Sequence, residues 1–297
     1  MTTSSATVSV VKATQASQNI SVMFVRKLLQ QKLAWIGLLI CVAVILAAIF
    51  AEVLAPYDPS ESHYEAILSA PSAQFWLGTD EIGRDILSRV IYGARVSIQV
   101  ALVSIALAIV LGSMLGMIAG YFGGWTDHIV MRVMDGMLAF PMLVLALGII
   151  AVLGPSLLNT TLAITIINVP SFARLVRAQV LVVRKLDFVL AARALGAGDL
   201  RIMLRHVWPS VVGNLIVYAS LRASTAIITE SSLSFLGLGA QPPTPSWGQM
   251  LSTAMQYWDA WWMSVFPGIA IFITVIALNF LGDSLRDTLD ARLPSAS

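Results

Sequence analysis

The sequence predicts an all-α, polytopic membrane protein with six transmembrane helices, and its composition is the first reason. Of the 297 residues, 58% are hydrophobic and 11% are charged, whereas soluble domains carry about 25% charged residues. The mean hydropathy is +0.83. Long uncharged runs, each near the roughly 20 residues that cross a bilayer, alternate with short polar segments. These features predict one membrane domain and leave no room for a large soluble domain.

The N-terminal part is expected to comprise a mobile cytoplasmic tail and the first transmembrane helix. Residues 1–32 are rich in Ser, Thr, Ala and Gln and show no core-forming pattern. The next run is uncharged up to Glu52, after which Ala-Pro-Tyr-Asp-Pro cannot continue a helix in lipid. Residues 33–55 are therefore predicted to form the first transmembrane helix. Because both the polar lead and the apolar run are long, we expect a retained anchor and not a cleaved signal peptide.

Residues 56–95 are predicted to form an extracytoplasmic loop that contains one short interfacial helix. Apolar residues recur there at helical spacing, namely Ile86, Leu87, Val90, Ile91 and Ala94. Charged residues lie between them, which is typical of a helix at a membrane surface that leads into the next span.

The second span is expected to pack closely against another helix. No charged residue lies between Arg95 and Asp127. Within this run Gly112, Gly116 and Gly120 recur every four residues, a spacing that lets two helices approach closely in a bilayer.

Residues 96–297 are predicted to form a core of five helices, which includes this second span. Residues 136–173 contain no charged residue. Gly-Pro-Ser at 154–156 divides this run into a third and a fourth span, each long enough to cross a bilayer. Residues 211–232 and 262–281 supply the fifth and sixth spans, separated by a loop rich in glycine and proline.

The distribution of basic residues predicts that both termini lie in the cytoplasm. The first span is preceded by Lys12, Arg26, Lys27 and Lys32. The segment between the fourth and fifth spans contains Arg174, Arg177, Arg184, Lys185, Arg193, Arg201 and Arg205. With six spans these two segments fall on one side, which the positive-inside rule assigns to the cytoplasm. The expected location is therefore the cell membrane, as a multi-pass protein of the inner or plasma membrane.

The sequence offers no catalytic or metal-binding equipment, so we expect a non-enzymatic chain. It contains no GxxxxGK[ST] motif, which excludes the common phosphate-binding loop for ATP. His63, His128 and His206 are scattered over different loops, which argues against a metal site. The single cysteine, Cys41, cannot form an internal disulfide. A net charge of +2 is too small to indicate nucleic-acid binding.

Residues 187–209 read DFVLAARALGAGDLRIMLRHVWP and predict a helical hairpin between the fourth and fifth spans. Asp187 is a candidate N-cap for a first helix and Asp199 for a second. Gly196 or Gly198 can adopt the left-handed conformation that ends a helix.

An apolar stripe is expected along the second helix of this hairpin, formed by Leu200, Met203, Leu204 and Val207. Arginines at 201 and 205 face elsewhere, and Pro209 closes the unit as the fifth span begins. From the residues alone two interpretations remain open. The hairpin is either an amphipathic connector resting on lipid headgroups or a docking element for a partner protein.

The hairpin resembles the EAA loop of binding-protein-dependent ABC importers. That pattern reads Glu-Ala-Ala, three residues, Gly, nine residues, then Ile-x-Leu-Pro. The positions that match in register are Ala191, Ala192, Gly196 and Pro209, and those that depart are Leu190, His206 and Trp208.

Four further stretches resemble the dipeptide and oligopeptide permease C family of such importers. They are LGTDEIGRDILSRVIYGAR at 77–95, YFGGWTDHIVMRVMDGMLAFP at 121–141, SLSFLGLGAQPPTPSWGQML at 232–251 and FPGIAIFITVIALNFLGDSLRDTLD at 266–290. Together they span most of the chain from the first span to the C-terminus. The resemblance implies the permease fold of type I ABC importers.

This resemblance implies a permease subunit that forms half of the pathway of an ATP-driven importer for di- or oligopeptides. Related importers carry glutathione, nickel chelates or other small solutes, and these substrates remain open. The implied partners are a second permease subunit resembling dipeptide or oligopeptide permease B, two ABC ATPase subunits, an extracytoplasmic substrate-binding protein and membrane lipid. ATP and magnesium would be bound by the ATPase subunits, with no cofactor in this chain.

The resemblance also implies that the hairpin couples this chain to an ATPase subunit. The residues implied in this coupling are Asp187, Leu190, Ala191, Ala192, Gly196, Asp199, Arg201, Arg205, His206 and Pro209.

Two ionisable residues of the fifth span, Arg222 and Glu230, are candidates for the pathway. Each would cost roughly 2.5 to 3.5 kcal/mol if left in lipid at mid-bilayer. Eight residues apart, they lie about 12 Å apart along a helix and cannot pair with each other. They contact another helix, a second permease subunit or the charged ends of a substrate, or Glu230 is simply solvated near the outer surface.

The loop at 236–262 contains candidates for an outer gate or a binding-protein contact, namely Gln241, Pro242, Pro243 and Trp247. An interfacial aromatic belt is the alternative for Trp258, Trp261 and Trp262. From a different class, a self-sufficient secondary transporter or channel would use Arg222 and Glu230 for ion coupling. That class predicts transport by the purified chain without ATP.

Overall fold

The structure, a computed structural model, describes residues 32–290, and these residues form α-helices joined by turns and loops. The helices are α1 (Lys32–Ile49), α2 (Ala51–Leu54), α3 (Ile86–Phe122), α4 (Gly124–Leu138), α5 (Met142–Leu153), α6 (Leu157–Val183), α7 (Asp187–Ala194), α8 (Asp199–Ile202), α9 (Trp208–Phe235), α10 (Trp247–Ala254) and α11 (Trp262–Asp290). A 3-10 turn at Tyr64–Ala66 and a π-helical segment at Met203–Val207 complete them. The tail predicted at 1–32, with Lys12, Arg26 and Lys27, lies outside the described residues except for Lys32.

Four of the described helices are long and apolar enough to cross a membrane: α3, α6, the continuous helix Asp199–Phe235, and α11. The pair α4 and α5 passes the same test only together, and its two helices meet at 94°. A shorter apolar helix covers Leu33–Ile49. These segments correspond to the six apolar spans that the sequence predicts.

The third span differs from the expectation of a full-length helix. Helix α5 has 12 residues, which is about 18 Å and short of a bilayer core. Gly123, with φ of 69°, separates α3 from α4. Pro141 occupies the N-cap position of α5, and proline disfavours helical conformation in the residue before it. The polypeptide therefore turns sharply between α4 and α5, and only the second half of this segment is strongly apolar.

The short helix expected before the second span is the first part of α3 and not a separate element. Helix α3 has 37 residues and no internal proline. Its N-cap is Asp85, whose carboxylate accepts a hydrogen bond of 2.8 Å from the backbone N–H of Ser88. Nothing in the sequence breaks the helix between these residues and Phe122, so it continues as one rod.

Helices α3 and α6 form the centre of the bundle, and the three regularly spaced glycines of α3 face α6. A Cβ added at Gly112 would lie 2.6 Å from Cβ of Phe172 and 2.8 Å from the carbonyl oxygen of Val169. Gly116 and Gly120 likewise lie against the backbone of α6. The small residues thus allow the backbones to approach closely, as their spacing predicts.

Helix α1 packs against α11 and α3 at the edge of this centre. A Cβ at Gly37 would lie 2.8 Å from the carbonyl oxygen of Ala277. The guanidinium of Arg95 donates to the carbonyl oxygens of Ala48 (3.0 Å) and Ile49 (3.2 Å). These carbonyls are among those that a helix end leaves without partners, so Arg95 fastens the end of α1 to α3.

The bundle has a hairpin end and a loop end. The hairpin end carries the turns after α3 and α6, with the hairpin at 187–209. The loop end carries residues 55–85 and 236–261.

At the loop end, two buried tryptophans hold the loops to the helices. Trp247 is 1% exposed, and its indole N–H donates to the carbonyl oxygen of Val90 at 2.9 Å. Trp262 donates in the same way to Thr79 at 3.0 Å. Trp258 and Trp261 are exposed. An aromatic belt can therefore include Trp258 and Trp261 but not Trp262.

Candidate functional site

The hairpin at 187–209 begins with a short helix that ends at a glycine. The backbone N–H of Gly196 bonds to the carbonyl of Arg193 at 3.0 Å, and that of Ala197 bonds to Ala192 at 3.1 Å. This pair of bonds is the Schellman motif, which requires a left-handed residue. Gly196 has φ of 80° and supplies it. Of the two glycines left open by the sequence, Gly196 ends the helix.

The aspartates expected as N-caps occupy a different position. Leu186 and Gly198 are the N-cap residues of α7 and α8, and neither helix has a side-chain cap hydrogen bond. Asp187 and Asp199 are instead the first helical residues. Their carboxylates lie where the helix dipole favours negative charge, which explains why aspartate stands there.

The second limb of the hairpin does not end at Pro209, which corrects the expectation that proline closes the unit. Helix α8, the π-helical segment and α9 form one continuous helix of 37 residues, Asp199–Phe235. The backbone N–H of Trp208 bonds to the carbonyl of Met203, five residues earlier. A π-helical turn accommodates an irregular residue within a helix. Pro209, which lacks an N–H, is thereby accepted in the first turn of α9.

The expected apolar stripe of this limb is divided between two sides. Met203 and Val207 are buried, whereas Leu200 and Leu204 are 69% and 60% exposed. The inserted π turn changes the side-chain spacing, and Ile202 takes the buried place in the first turn. The hairpin therefore packs against the bundle through Val189, Ile202 and Val207, all of which are fully buried.

A tyrosine at the end of α3 joins both limbs of the hairpin, and we name this group the Tyr121 bridge (Tyr121, Arg193 and Asp199). The hydroxyl of Tyr121 donates to Oδ1 of Asp199 at 2.7 Å and accepts from Nη2 of Arg193 at 3.0 Å. The Arg193 guanidinium lies 5.6 Å from the centre of the Tyr121 ring. The hydrogen bond to Tyr121 raises the pKa of Arg193 above its ordinary value, so this side chain stays charged.

Arg184, at the end of α6, reinforces the same corner. Its Nη1 donates to the carbonyl oxygens of Gly120 (2.8 Å) and Tyr121 (2.9 Å), which lie at the end of α3. A cation suits the C-terminal end of a helix. The ends of α3 and α6 and both limbs of the hairpin are thus held as one unit.

The outer surface of the hairpin is unusually apolar for an exposed segment. The exposed apolar surface comprises Leu186, Phe188, Leu190, Ala191, Ala194 and Leu195. Leu195, at the tip, is 88% exposed. Exposed apolar residues that cluster in this way mark an interaction surface. Leu190 lies in this surface at 48% exposure, so the position where the EAA pattern has glutamate faces outward.

The remaining candidates of the hairpin surround that surface. Arg201, Arg205 and Pro209 are exposed, whereas Ala192 and His206 are half-buried. The Nδ1 atom of His206 is buried and has no hydrogen-bond partner.

Glu230 is buried, and of the alternatives left open by the sequence it shows the contact with another helix. It is 0% exposed and accepts hydrogen bonds from the hydroxyls of Ser97 (2.9 Å) and Ser234 (2.7 Å). A weaker contact of 3.5 Å comes from Ser231. Ser97 belongs to α3, so this carboxylate fastens α9 to α3 inside the bundle.

Arg222 lies about 80° around α9 from Glu230, at a partly exposed position. Its Nε donates to the hydroxyl of Tyr218 at 2.8 Å, and its Nη2 donates to the same hydroxyl and to that of Ser171 at 3.1 Å. All its partners among the described residues are neutral.

Polar residues recur along this side of α9 over almost its full length. They are Asn214, Tyr218, Arg222, Thr225, Thr229 and Ser232, and we name them the polar stripe. Their spacing of three or four residues places them on one face of a helix. None of the six is buried. The hydroxyls of Thr225, Thr229 and Ser232 bond to the backbone of their own helix. A charged residue such as Arg222 is costly in lipid, so its part of the polar stripe suits water or protein contact better than lipid.

The loop candidates fall into two groups. Gln241, Pro242 and Pro243 are exposed at the loop end, whereas Trp247 is buried against α3 and cannot contact a partner in this conformation. A Cβ added at Gly93 would lie 2.8 Å from the Trp247 ring, which shows how tightly it is enclosed.

Sequence reasoning did not find the Tyr121 bridge, the serines around Glu230 or the contacts of Arg222. One signal was available for the first of these. Tyr121 directly follows the last glycine of the regular series on α3, where an apolar run ends and interfacial tyrosines are common.

Comparison with known proteins identifies the relatives of this chain. Residues 112–294 match the family described as binding-protein-dependent transport system inner membrane component. Residues 21–71 match the N-terminal TM domain of oligopeptide transport permease C.

Three curated relatives cover nearly the whole chain. The dipeptide transport system permease protein DppC of Alkalihalophilus pseudofirmus is 46% identical over 91% of this chain and 89% of its own. The di/tripeptide transport system permease protein DppC of Pseudomonas aeruginosa is 46% identical over 88% of both chains. The glutathione transport system permease protein GsiD of Pectobacterium atrosepticum is 43% identical over 92% of this chain and 91% of its own.

One solved structure shares the fold. A chain of the inward-facing MetNI methionine ABC transporter aligns with a TM-score of 0.54 and 17% identity. The alignment covers 68% of this chain and 97% of the other.

Proposed function

The chain belongs to the binding-protein-dependent transport permease family, in its dipeptide and oligopeptide permease C branch, and we propose that it forms half of an import pathway for short peptides. The relatives named for dipeptides and di/tripeptides support this substrate class. Glutathione, the named substrate of other relatives, is itself a modified tripeptide and is the second candidate. The other half of the pathway would come from a second permease subunit.

The hairpin docks on an ATPase subunit in this proposal. Its exposed apolar surface supplies the contact area, and the fully buried Val189, Ile202 and Val207 hold it firmly to the bundle. A rigid element of this kind can transmit movement, because packed interfaces switch between discrete arrangements. ATP and magnesium are bound by the ATPase subunits, and this chain is non-catalytic.

The observation that carries the proposal is the continuous helix Asp199–Phe235. Its first turn belongs to the hairpin, its middle carries Arg222 on the polar stripe, and its last turns carry Glu230. Movement of the hairpin therefore reaches the polar stripe without crossing a loop. Through the Tyr121 bridge the same movement reaches α3.

The proposed orientation places the hairpin end and both termini in the cytoplasm. This follows from the basic residues of the hairpin and of the segment before α1. The loop end then faces the substrate-binding protein, which would contact exposed residues such as Gln241, Pro242 and Pro243.

Reconstitution in liposomes tests the proposal. The chain is combined with a second permease, two ATPases and a substrate-binding protein, and uptake of a radiolabelled dipeptide and of glutathione is measured. Uptake should require ATP and every component, with the dipeptide preferred. Peptide or ion transport by this chain alone without ATP would instead support a secondary transporter.

A further inference from the structure

We propose that Arg222, Tyr218 and the cavity beside them hold the terminal carboxylate of a peptide during its passage, which rests on the proposed import function. The site lies on α9, near the middle of the spanning helix. It would recognise the main chain of the substrate and not its side chains.

The Arg222 guanidinium is fixed in place by neutral oxygens. Its Nε lies 2.8 Å from the Tyr218 hydroxyl, and its Nη2 lies 3.1 Å from the Ser171 hydroxyl. The guanidinium carbon lies 4.9 Å from the centre of the Tyr218 ring. These contacts from α6 and α9 orient the side chain without neutralising its charge.

The charge of Arg222 is unmatched within the part of the chain that the structure describes. No carboxylate forms an ion pair with it, and Glu230 points into the bundle, where serines of α3 and α9 bind it. A cation on a spanning helix requires water or a counter-charge. A carboxylate that passes through the pathway supplies that counter-charge, and arginine can bind it in bidentate fashion.

The cavity beside this arginine suits a peptide backbone. It has a volume of about 280 Å³ and lies between α6, α9 and α11, starting at Tyr218. Its polar lining residues are Gln179, Asn214, Tyr218 and Arg286. The Oε1 atom of Gln179 is buried without a hydrogen-bond partner, and a buried acceptor of this kind is costly unless a donor arrives. A peptide N–H is such a donor.

The lining is also asymmetric in charge. None of the residues that line the cavity is acidic, and Arg222 lies next to the cavity through its contact with Tyr218, which is one of the lining residues. The described lining and the adjoining Arg222 therefore offer a cation and amides to the substrate, but no carboxylate for its ammonium group. The carboxylate end of a peptide is the part that this combination fits.

The test compares uptake of alanyl-alanine and alanyl-alanine amide by the complete reconstituted importer. The amide lacks the terminal charge but keeps the rest of the peptide. Affinity of the binding protein for each compound is measured separately, so that the uptake ratio reports the permease. In Arg222→Gln, uptake of the free acid should fall about tenfold and uptake of the amide less than twofold, because charge-assisted hydrogen bonds are strong.

Control variants separate this site from general effects of charge and assembly. Arg222→Lys keeps the cation and should give a smaller, free-acid-selective loss, which also carries the test if the glutamine variant does not assemble. Arg132→Gln removes an exposed cation on α4 and should leave both rates unchanged. If the Arg222 variants lose uptake of the free acid and of the amide equally, this inference is overturned but the proposed function is not. If the unaltered importer takes up no dipeptide, both the proposed function and this inference are overturned.

Discussion

The Tyr121 hydroxyl donates a 2.7 Å hydrogen bond to the carboxylate of Asp199, and so connects the end of α3 to the first turn of the helix that crosses the bundle as α9. The two residues are 78 positions apart in the sequence. The same hydroxyl accepts a bond from Arg193 on the other limb of the hairpin. One oxygen atom thus joins both limbs to the central helix of the fold.

Tyr121→Phe should weaken coupling while the protein still assembles. The ring and its contact with Arg193 remain, but both hydrogen bonds of the hydroxyl are lost. We expect peptide uptake per ATP hydrolysed to fall about three- to tenfold, since each such bond contributes about 1 kcal/mol or somewhat more when charged. Uptake and ATP hydrolysis are measured in the same proteoliposomes.

Tyr92→Phe is the matched control for this variant. Tyr92 also contacts an arginine through its ring, Arg95, and that contact survives the change. Unaltered coupling in both variants would show that the Tyr121 bridge does not transmit movement.

Glu230 is expected to act in assembly and not in substrate binding. Glu230→Ala leaves the hydroxyls of Ser97 and Ser234 buried without their acceptor, which should lower stability by about 1–3 kcal/mol. The KM for peptide of the protein that does assemble should stay within twofold of normal. Thermal unfolding in detergent and uptake kinetics check the two statements. A raised KM with unchanged thermal stability would place Glu230 on the pathway.

Gly112→Ala should destabilise the contact between α3 and α6. The new methyl group would lie within 3 Å of both Phe172 and the Val169 carbonyl. Overpacking of this kind costs about 1–3 kcal/mol. Gly148→Ala on α5 is the control, because its Cβ meets no atom within 4 Å. The melting temperature of the purified chain should fall for the first variant and stay level or rise for the second.

Gly196→Ala should loosen the turn of the hairpin, and Gly198→Ala should not. Neither added methyl group meets another atom within 4 Å, but only Gly196 has a positive φ, of 80°. Alanine in that conformation costs roughly 1 kcal/mol or more. Hydrogen exchange of the amides at 192–198 should therefore quicken in the first variant. Equal exchange in the two variants would mean that the turn adopts another conformation in solution.

The fold was predictable from the sequence where local chemistry dictates it. Uncharged runs predict the spans, the four-residue glycine spacing predicts that α3 packs closely against another helix, and the glycines at 196 and 198 predict a turn at one of these two positions. The sharp bend between α4 and α5 was missed although Pro141 marks it. The absence of charge predicts that a segment is apolar but does not show where the helix changes direction.

The candidate site was less predictable because it depends on contacts between distant residues. Glu230 meets Ser97 across 133 positions, and a single sequence contains no signal for that pairing. Hydropathy shows that Arg222 and Glu230 are both unusual in a spanning helix but not that Glu230 is buried while Arg222 is partly exposed. The polar stripe becomes evident only once the exposed face of α9 is known.

The π-helical segment Met203–Val207 sets the angular register between the hairpin and the polar stripe of α9. One inserted residue turns everything that follows by about 100° and advances it by about 1.5 Å. An unbroken α-helix from Asp199 would consequently turn Arg222 away from its present direction relative to the hairpin. Deletion of one residue in this segment would leave the hairpin and α9 helical. It would, however, rotate α9 relative to the hairpin, so that the two could not both keep their present contacts.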